Sequence, residues 1–472
     1  MRLDRLLGQV DVLETRGDPA DVDVRTITFD TADVVPGALY CCVPGGHFDG
    51  HDFAPGAVAA GASALLCERL LPLDVVQVRV QEGRVRPAMA QVAAAFHDHP
   101  ADRLRVVGVT GTNGKTTVTH LVGAVLEANG WPTAVMGTLA GGLTTPDAPS
   151  VQRSLASDRD AGRVAVAMEV SSHALIQRRV DAIRFAVAVF TNLSQDHLDY
   201  HRTMDAYFSA KSMLFTPERS ETGVVNADDP WGRRLLETAE IELRPFSLAD
   251  AGDLEMGARG SSFRWEGRAV TLNLSGRFNV VNALAAAAAA RQLGVDPGVV
   301  AEGLSALRGV PGRFEMVEAG QSFKAVVDYA HTPSALEEAL AAARYAAAPG
   351  GRVIVVFGCG GDRDRLKRPE MGRIATDRAD LAVLTSDNPR SEDPLGIIGE
   401  VRSGVDRLDR LVVEPDRAGA IALAVEFARP GDVVLVAGKG HETGQQIGGR
   451  TLDFDDRVVT RAAIEDMAGA RR

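Results

Sequence analysis

Six short apolar, β-branched runs, at residues 106–109, 164–168, 186–190, 353–357, 381–384 and 433–436, constrain this chain more than any other feature. They are near-continuously apolar instead of alternating, as strands buried on both faces are, and helical patterns separate them. Such strands assemble into parallel sheets covered by helices, so the fold class is α/β. Each run leads into a polar loop, at 110–117, 169–173, 191–197, 358–363, 387–390 and 438–442. In open α/β sheets ligands bind beyond the carboxyl ends of the strands, so these loops outline ligand-binding surface.

A chain of 472 residues, 45% hydrophobic and 24% charged, has material for several cores, and three domains are expected. Breaks at His97-Asp98-His99-Pro100 and Gly309-Val310-Pro311-Gly312-Arg313 give domains 1–100, 101–312 and 313–472. The net charge of −12 argues against nucleic-acid binding, which needs a basic face. No apolar signal core follows Met1, and the uncharged stretches, including the Ala-rich run ending at Arg291, are too short to span a bilayer. A cytoplasmic, monomeric protein without membrane insertion is expected. Cys41, Cys42, Cys67 and Cys359 lack both disulfide density and CxxC spacing, and read as buried free thiols.

The first polar loop carries the strongest chemistry. Gly111-Thr112-Asn113-Gly114-Lys115-Thr116-Thr117 joins a strand to a helix that runs to Gly130. Backbone amides of a glycine-rich turn converge on phosphate oxygens, Lys115 reaches the terminal phosphates and Thr116 offers a magnesium ligand. Val109 stands where the strict pattern has glycine, so the loop is a variant. ATP hydrolysis or transfer is the expected use.

Glu169 and His197 follow the next two strands, where a carboxylate and an imidazole could hold a second cation beside the phosphates. Asp199 and His201 are either further ligands or residues that order the loop. Lysine usage sharpens the reading: the chain has five lysines against 46 arginines, so a lysine that persists invites the question of what its amine does. Lys211, between aromatic residues, reads by default as a snorkelling surface side chain, and alternatively as a chemically used amine.

Taken together, GTNGKTT at 111–117, EVSSH at 169–173, NLSQDH at 192–197, GRFNVVN at 276–282, DYAHTP at 328–333 and GKGHE at 438–442 resemble the Mur ligases, ATP-dependent amide-forming enzymes of peptidoglycan synthesis. The resemblance runs in the family's order from about residue 25 to the C-terminus. It implies three domains: a small N-terminal α/β domain for the UDP-linked substrate, a central phosphate-loop domain with a parallel-rich sheet, and a Rossmann-like C-terminal domain. It also implies ATP and Mg2+ as cofactors, with Lys115, Glu169, His197 and Lys211 as catalytic residues. Thr116, Glu169, His197 and Lys211, the last carbamylated by CO2, would serve the metal. Asn279, Asn282, Arg313 and Asp328 resemble residues near the nucleotide, and Thr31, Thr144, Thr145, Ser171, Gln177 and Arg179 resemble contacts to a UDP-muramoyl dipeptide.

Within the family, the segment 386–394 resembles the loop of members that add meso-diaminopimelate to the D-glutamyl γ-carboxylate of UDP-N-acetylmuramoyl-L-alanyl-D-glutamate. Diaminopimelate differs from lysine by a distal carboxylate, for which Arg390 offers a bidentate, charge-assisted partner. Lysine would leave that guanidinium desolvated and unpaired. Arg363, Asp387, Asn388, Pro389, Gly438 and Glu442 complete the expected amino-acid site. The alternatives are a lysine-adding ligase, a folylpolyglutamate synthetase and a non-catalytic nucleotide-binding regulator; a structural pairing of Arg390 with Glu392 or Asp393 is the competing reading of that side chain. Ala32, Leu143 and Gly444 depart from the family pattern, as does Thr31 within Asp30-Thr31-Ala32, whereas Gly45-Gly46-His47-Phe48-Asp49-Gly50-His51 is closer to type.

Overall fold

The computed structural model describes residues 1–46 and 48–470. His47, within the family-like segment of the first domain, and Arg471 and Arg472 at the chain end lie outside them. Among the described residues there are five sheets, and the three largest organise the cores. The first has the strand order Val12–Arg16, Val76–Val80, Ala62–Cys67, Ala38–Cys41, Thr26–Thr28. Only its Val12–Arg16 edge is antiparallel. Cys41, Cys42 and Cys67 are fully buried in its two faces and Cys359 is buried elsewhere, all four as free thiols.

The second sheet is wholly parallel, in the order Leu243–Phe246, Gly223–Asn226, Val187–Phe190, Arg105–Thr110, Ala165–Glu169, Thr133–Met136. The third runs Glu315–Val317, Lys324–Asp328, Val433–Ala437, Val353–Phe357, Leu381–Leu384, Leu411–Val413, parallel apart from its first strand. All six apolar runs are strands in these two sheets. Each of the two sheets has an apolar cluster on either face, which is why its strands do not alternate.

Small residues set how close the helices come. The Ala-rich run is the helix Arg277–Gln292, and it packs with helix Pro297–Ala306 on helix Lys115–Ala128. A Cβ on Gly303 would lie 2.5 Å from Val125 Cα, so glycine is needed where those backbones approach. Among the described residues no helix is long and apolar enough to cross a membrane. The hydrophobicity of the Ala-rich run serves a protein core.

Candidate active site

Strand Arg105–Thr110 lies inside its sheet, between Val187–Phe190 and Ala165–Glu169, so its loop is flanked by theirs. Val109 is fully buried in strand pairing, and the turn opens two residues later than the strict pattern, at Gly111. Gly114 has φ +88°, and a Cβ there would lie 2.4 Å from Asn282 Oδ1. Any side chain would be both strained and blocked. Lys115 Nζ donates to the carbonyls of Gly111 at 3.0 Å and Thr112 at 2.9 Å. Burial pushes its pKa down, while Glu169 and Asp196 pull it back. Asn113 reaches Ser334 Oγ at 3.2 Å, and Thr116 Oγ1 accepts from Arg313 Nη2 at 2.8 Å. Thr112 Oγ1 contacts Tyr207 Oη at 3.3 Å, and Thr117 is buried in the first turn of the helix. Of the other expected nucleotide residues, Asn279 is fully buried, donating to Ser275 O and accepting from Asn282. Asp328 accepts from the amides of Phe314 and Ala330.

Glu169 ends its strand almost fully buried and accepts from Thr138 N at 2.9 Å and Thr138 Oγ1 at 3.2 Å. Around it the structure gathers five of the six expected muramoyl-peptide residues. Thr138 reaches Thr144; Thr145 Oγ1 donates to Glu169 O and accepts from Ser171 N; Arg179 grips Thr145 O and Gln177 Oε1. Thr31 stands apart, in the turn Thr31–Asp33 capped by Asp30 on the first sheet. Asp30 supplies that cap through its own carboxylate, so Ala32 costs the turn nothing.

Lys211 overturns its default reading. It is 1% exposed, donates to Gly111 O at 2.8 Å and lies 4.6 Å from the Tyr207 ring centre. Helix Met204–Ser212 turns this residue inward among Tyr207, Phe208 and Ala210, which its mixed apolar pattern did not reveal. Burial and the neighbouring Lys115 hold its amine well below the ordinary range, against the pull of Asp196. Burial, with His173, Lys211 and Lys115, pushes His197 down to about 3 despite Asp196. A neutral imidazole keeps a free lone pair for a cation or a proton. His201 bonds Ser172 Oγ at 2.9 Å and stacks on Tyr207, so it orders the loop. Among the described residues no three His, Cys, Asp or Glu side chains cluster closely enough to hold a metal by themselves. The nearby set, a carboxylate and a hydroxyl beside a phosphate loop, fits magnesium, which takes few protein ligands and the rest from phosphate and water.

The C-terminal sheet supplies the other wall. Asn388 donates to Glu442 Oε2 at 2.8 Å, and Lys439 Nζ bridges Asn388 Oδ1 and Glu442 Oε2, each at 3.0 Å. A Cβ on Gly438 would lie 2.6 Å from Asp387 Oδ2, so glycine admits that carboxylate. Among the described residues Asp387 Oδ2 is buried without a hydrogen bond, and Arg417 Nη1 lies 3.9 Å away. Pro389 O packs on Gly361, and the exposed Arg363 donates to Asp362 O. The pairing of Arg390 with Glu392 or Asp393 does not form: Arg368 and Asp362 N occupy Glu392, and Asp393 caps helix Pro394–Arg402. Arg390 is half-buried, and its one side-chain hydrogen bond among the described residues is from Nη1 to Gly361 O at 2.6 Å. Among the described residues no carboxylate forms an ion pair with it.

The two walls meet through residues that sequence reasoning passed over. Lys367 Nζ, on helix Lys367–Arg378, lies 3.1 Å from Asp196 Oδ1, both side chains 6% exposed. His331 Nε2 stands 3.6 Å from Asp196 Oδ2, and Ser194 Oγ bonds Ser334 Oγ at 2.7 Å. Lysine scarcity, applied to Lys367, would have singled it out. Burial alone would raise the Asp196 carboxyl, but Lys367, His331 and His197 override it and hold it well below the ordinary value. Asp196→Asn is therefore expected to destabilise the joined walls by on the order of 3 kcal/mol at neutral pH. A depressed carboxyl contributes stability that is complete above its unfolded value and drains as pH falls through the folded one. The gap between variant and parent in denaturant midpoint should thus narrow below about pH 4; a gap independent of pH would refute the ionic pairing.

Comparisons with known proteins cover nearly the whole chain. The Mur ligase family catalytic domain matches residues 23–107, the Mur ligase middle domain 109–290, and the Mur ligase glutamate ligase domain 312–440. A protein of Syntrophomonas wolfei, 44% identical, matches across 95% of this chain and 96% of its own length. One of Gloeobacter violaceus, 45% identical, matches across 98% of each. Both are named UDP-N-acetylmuramoyl-L-alanyl-D-glutamate--2,6-diaminopimelate ligase. A solved structure of a protein of that name is 34% identical, with a TM-score of 0.66 over 97% of this chain and 98% of its own.

Proposed function

The chain belongs to the Mur ligase family, and on that premise we propose that it joins meso-diaminopimelate to UDP-N-acetylmuramoyl-L-alanyl-D-glutamate at the expense of ATP. The reading rests above all on Arg390, a half-buried guanidinium with no carboxylate partner among the described residues, on the wall facing the phosphate loop. The full-length relatives named for this reaction support it. Residues 1–100 are taken as the domain for the UDP moiety, 101–312 as the ATP-binding domain and 313–472 as the amino-acid domain.

The D-glutamyl γ-carboxylate attacks the γ-phosphorus of ATP, ADP leaves, and an acyl phosphate forms. The diaminopimelate amine then attacks the acyl carbon, phosphate leaves, and the amine proton passes to solvent or a nearby base. Lys115 and the amides of residues 111–114 hold the phosphates, with the helix start of Lys115–Ala128 behind them. Thr116, Glu169, His197 and Lys211 would hold magnesium, which when bound offsets charge on the transferring phosphoryl group. Lys211 takes part as a carbamate: its neutral amine adds to CO2 and releases one proton, creating an oxygen anion suited to a hard cation. Thr144, Thr145, Ser171, Gln177 and Arg179 hold the muramoyl peptide and Thr31 borders its nucleotide end, while Asn279, Asn282, Arg313 and Asp328 frame the nucleotide of ATP. In the amino-acid site Arg390 takes the distal carboxylate, and Asp387 lines the same wall. Arg363, Asn388, Pro389, Gly438 and Glu442 complete that wall.

Phosphate release with ATP, magnesium and the UDP-muramoyl dipeptide tests the reading when diaminopimelate and L-lysine are compared. Release and amide product are expected with diaminopimelate, with lysine slower by on the order of 100-fold. Equal rates would overturn the selectivity, and no release with either would overturn the function.

A further inference from the structure

The hairpin Gly444–Ile447 and Arg450–Asp453 has almost no core of its own. Of its eight strand residues only Gln445 is buried, at 7% exposure, and an isolated two-stranded hairpin is marginal in water. Something else must hold it, and the hydrogen bonds name the partner. Gln445 Nε2 donates to Asp387 O at 2.8 Å, and Gln446 N to Asn388 Oδ1 at 2.9 Å. Arg390 N then donates to Gln446 O at 3.0 Å and Gly448 N to Arg390 O at 2.8 Å, a parallel bridge between Arg390 and Ile447. Loop residues 387–390 are thereby tied to the hairpin by one backbone bridge at Arg390 and two bonds that run through the side chains of Gln445 and Asn388.

Arg390 needs such a hold. Its φ is +53°, in the left-handed region that costs a non-glycine residue about 1–2 kcal/mol. Its single side-chain bond, to Gly361 O, does not fix the backbone. The Gln446 and Gly448 bonds satisfy both of its peptide groups in that conformation, and Gln445 sets the register by gripping the loop three residues earlier.

We infer that the hairpin is the element that aims Arg390, with Gln445 as a positioning residue for selection of an amino acid bearing a distal carboxylate. This rests on the function proposed above. Gln445 touches no reacting atom; it acts through the loop. A longer or shorter amino acid would meet Arg390 out of register, so selectivity is built into backbone geometry as well as into the guanidinium.

Gln445→Met keeps the side chain's length and removes its donor, leaving Asp387 O unsatisfied in a buried place. Its KM for diaminopimelate should rise about tenfold, the KM values for ATP and the UDP-muramoyl dipeptide should stay within about twofold, and the preference over lysine should shrink. Amide exchange across residues 386–392 should speed up in the variant. A KM for diaminopimelate that does not move, or three KM values that rise together with a lower Tm, would overturn the inference. Unchanged exchange at 386–392 would overturn it too, since the loop would then hold itself. If the parent protein makes no amide with diaminopimelate while the variant still loses protection there, the proposed function falls and the selectivity role with it, but the hairpin's hold on the loop stands.

Discussion

Replacing Lys211 with arginine is expected to lower turnover by about 1,000-fold while leaving the fold in place, a loss comparable to removing a principal charge-stabilising group from an active site. The side chain is 1% exposed and donates to Gly111 O, inside the phosphate loop. Its amine is held well below the ordinary lysine range by burial and Lys115, which favours the neutral, nucleophilic form. A guanidinium stays charged at any working pH, cannot add CO2 and would face Lys115 as a second permanent cation. The measurements are steady-state rate, intact mass with and without bicarbonate, and circular dichroism as the control for folding. The parent should carry the added mass of one carbon dioxide on Lys211 and lose activity when bicarbonate is stripped. Full activity in Lys211→Arg, or bicarbonate dependence with Lys211 never modified, would sink the carbamate.

Arg390→Ala should cost on the order of 100-fold in kcat/KM for diaminopimelate, as expected when one partner of a desolvated charge pair is cut away. The effect on lysine should be small or favourable, because lysine has nothing to offer that guanidinium. Since Glu392 is held by Arg368 and Asp393 caps a helix, the substitution strands no protein carboxylate. The loss therefore reports on the ligand and not on a broken internal ion pair. Arg390→Lys should recover only part of it, since a point charge does not reproduce a bidentate fork. Equal losses with both amino acids would assign Arg390 to loop structure and remove it from selectivity.

The features readable in the chain were those that depend on near neighbours. Apolar runs of four or five residues and the polar loops that follow them became strands and loops because a strand buried on both faces imposes that composition on every residue it contains. GTNGKTT at 111–117 announced its geometry in the same way: Gly114 at φ +88° is a demand of the turn itself. Lys211 and Asp196 were harder. Their side chains lie in segments whose local pattern is ambiguous, and what distinguishes them is burial against residues far away along the chain. Asp196 and Lys367 are 171 residues apart, and no local pattern pairs them.

By itself, then, the sequence determined the α/β class, the strands, the phosphate loop and the set of groups able to do chemistry, since each follows from side-chain type and short spacing. Only the tertiary structure decided which of those groups are pushed toward neutrality, which are paired and which lack a protein partner among the described residues. Those properties depend on desolvation and on the distance between charges, which are set when separate sheets pack and bring distant loops to one cleft. Arg390 shows the difference: its place in the motif was legible, but its freedom from Glu392, which Arg368 holds, and its left-handed backbone, bridged to Ile447, depend on residues distant in the chain.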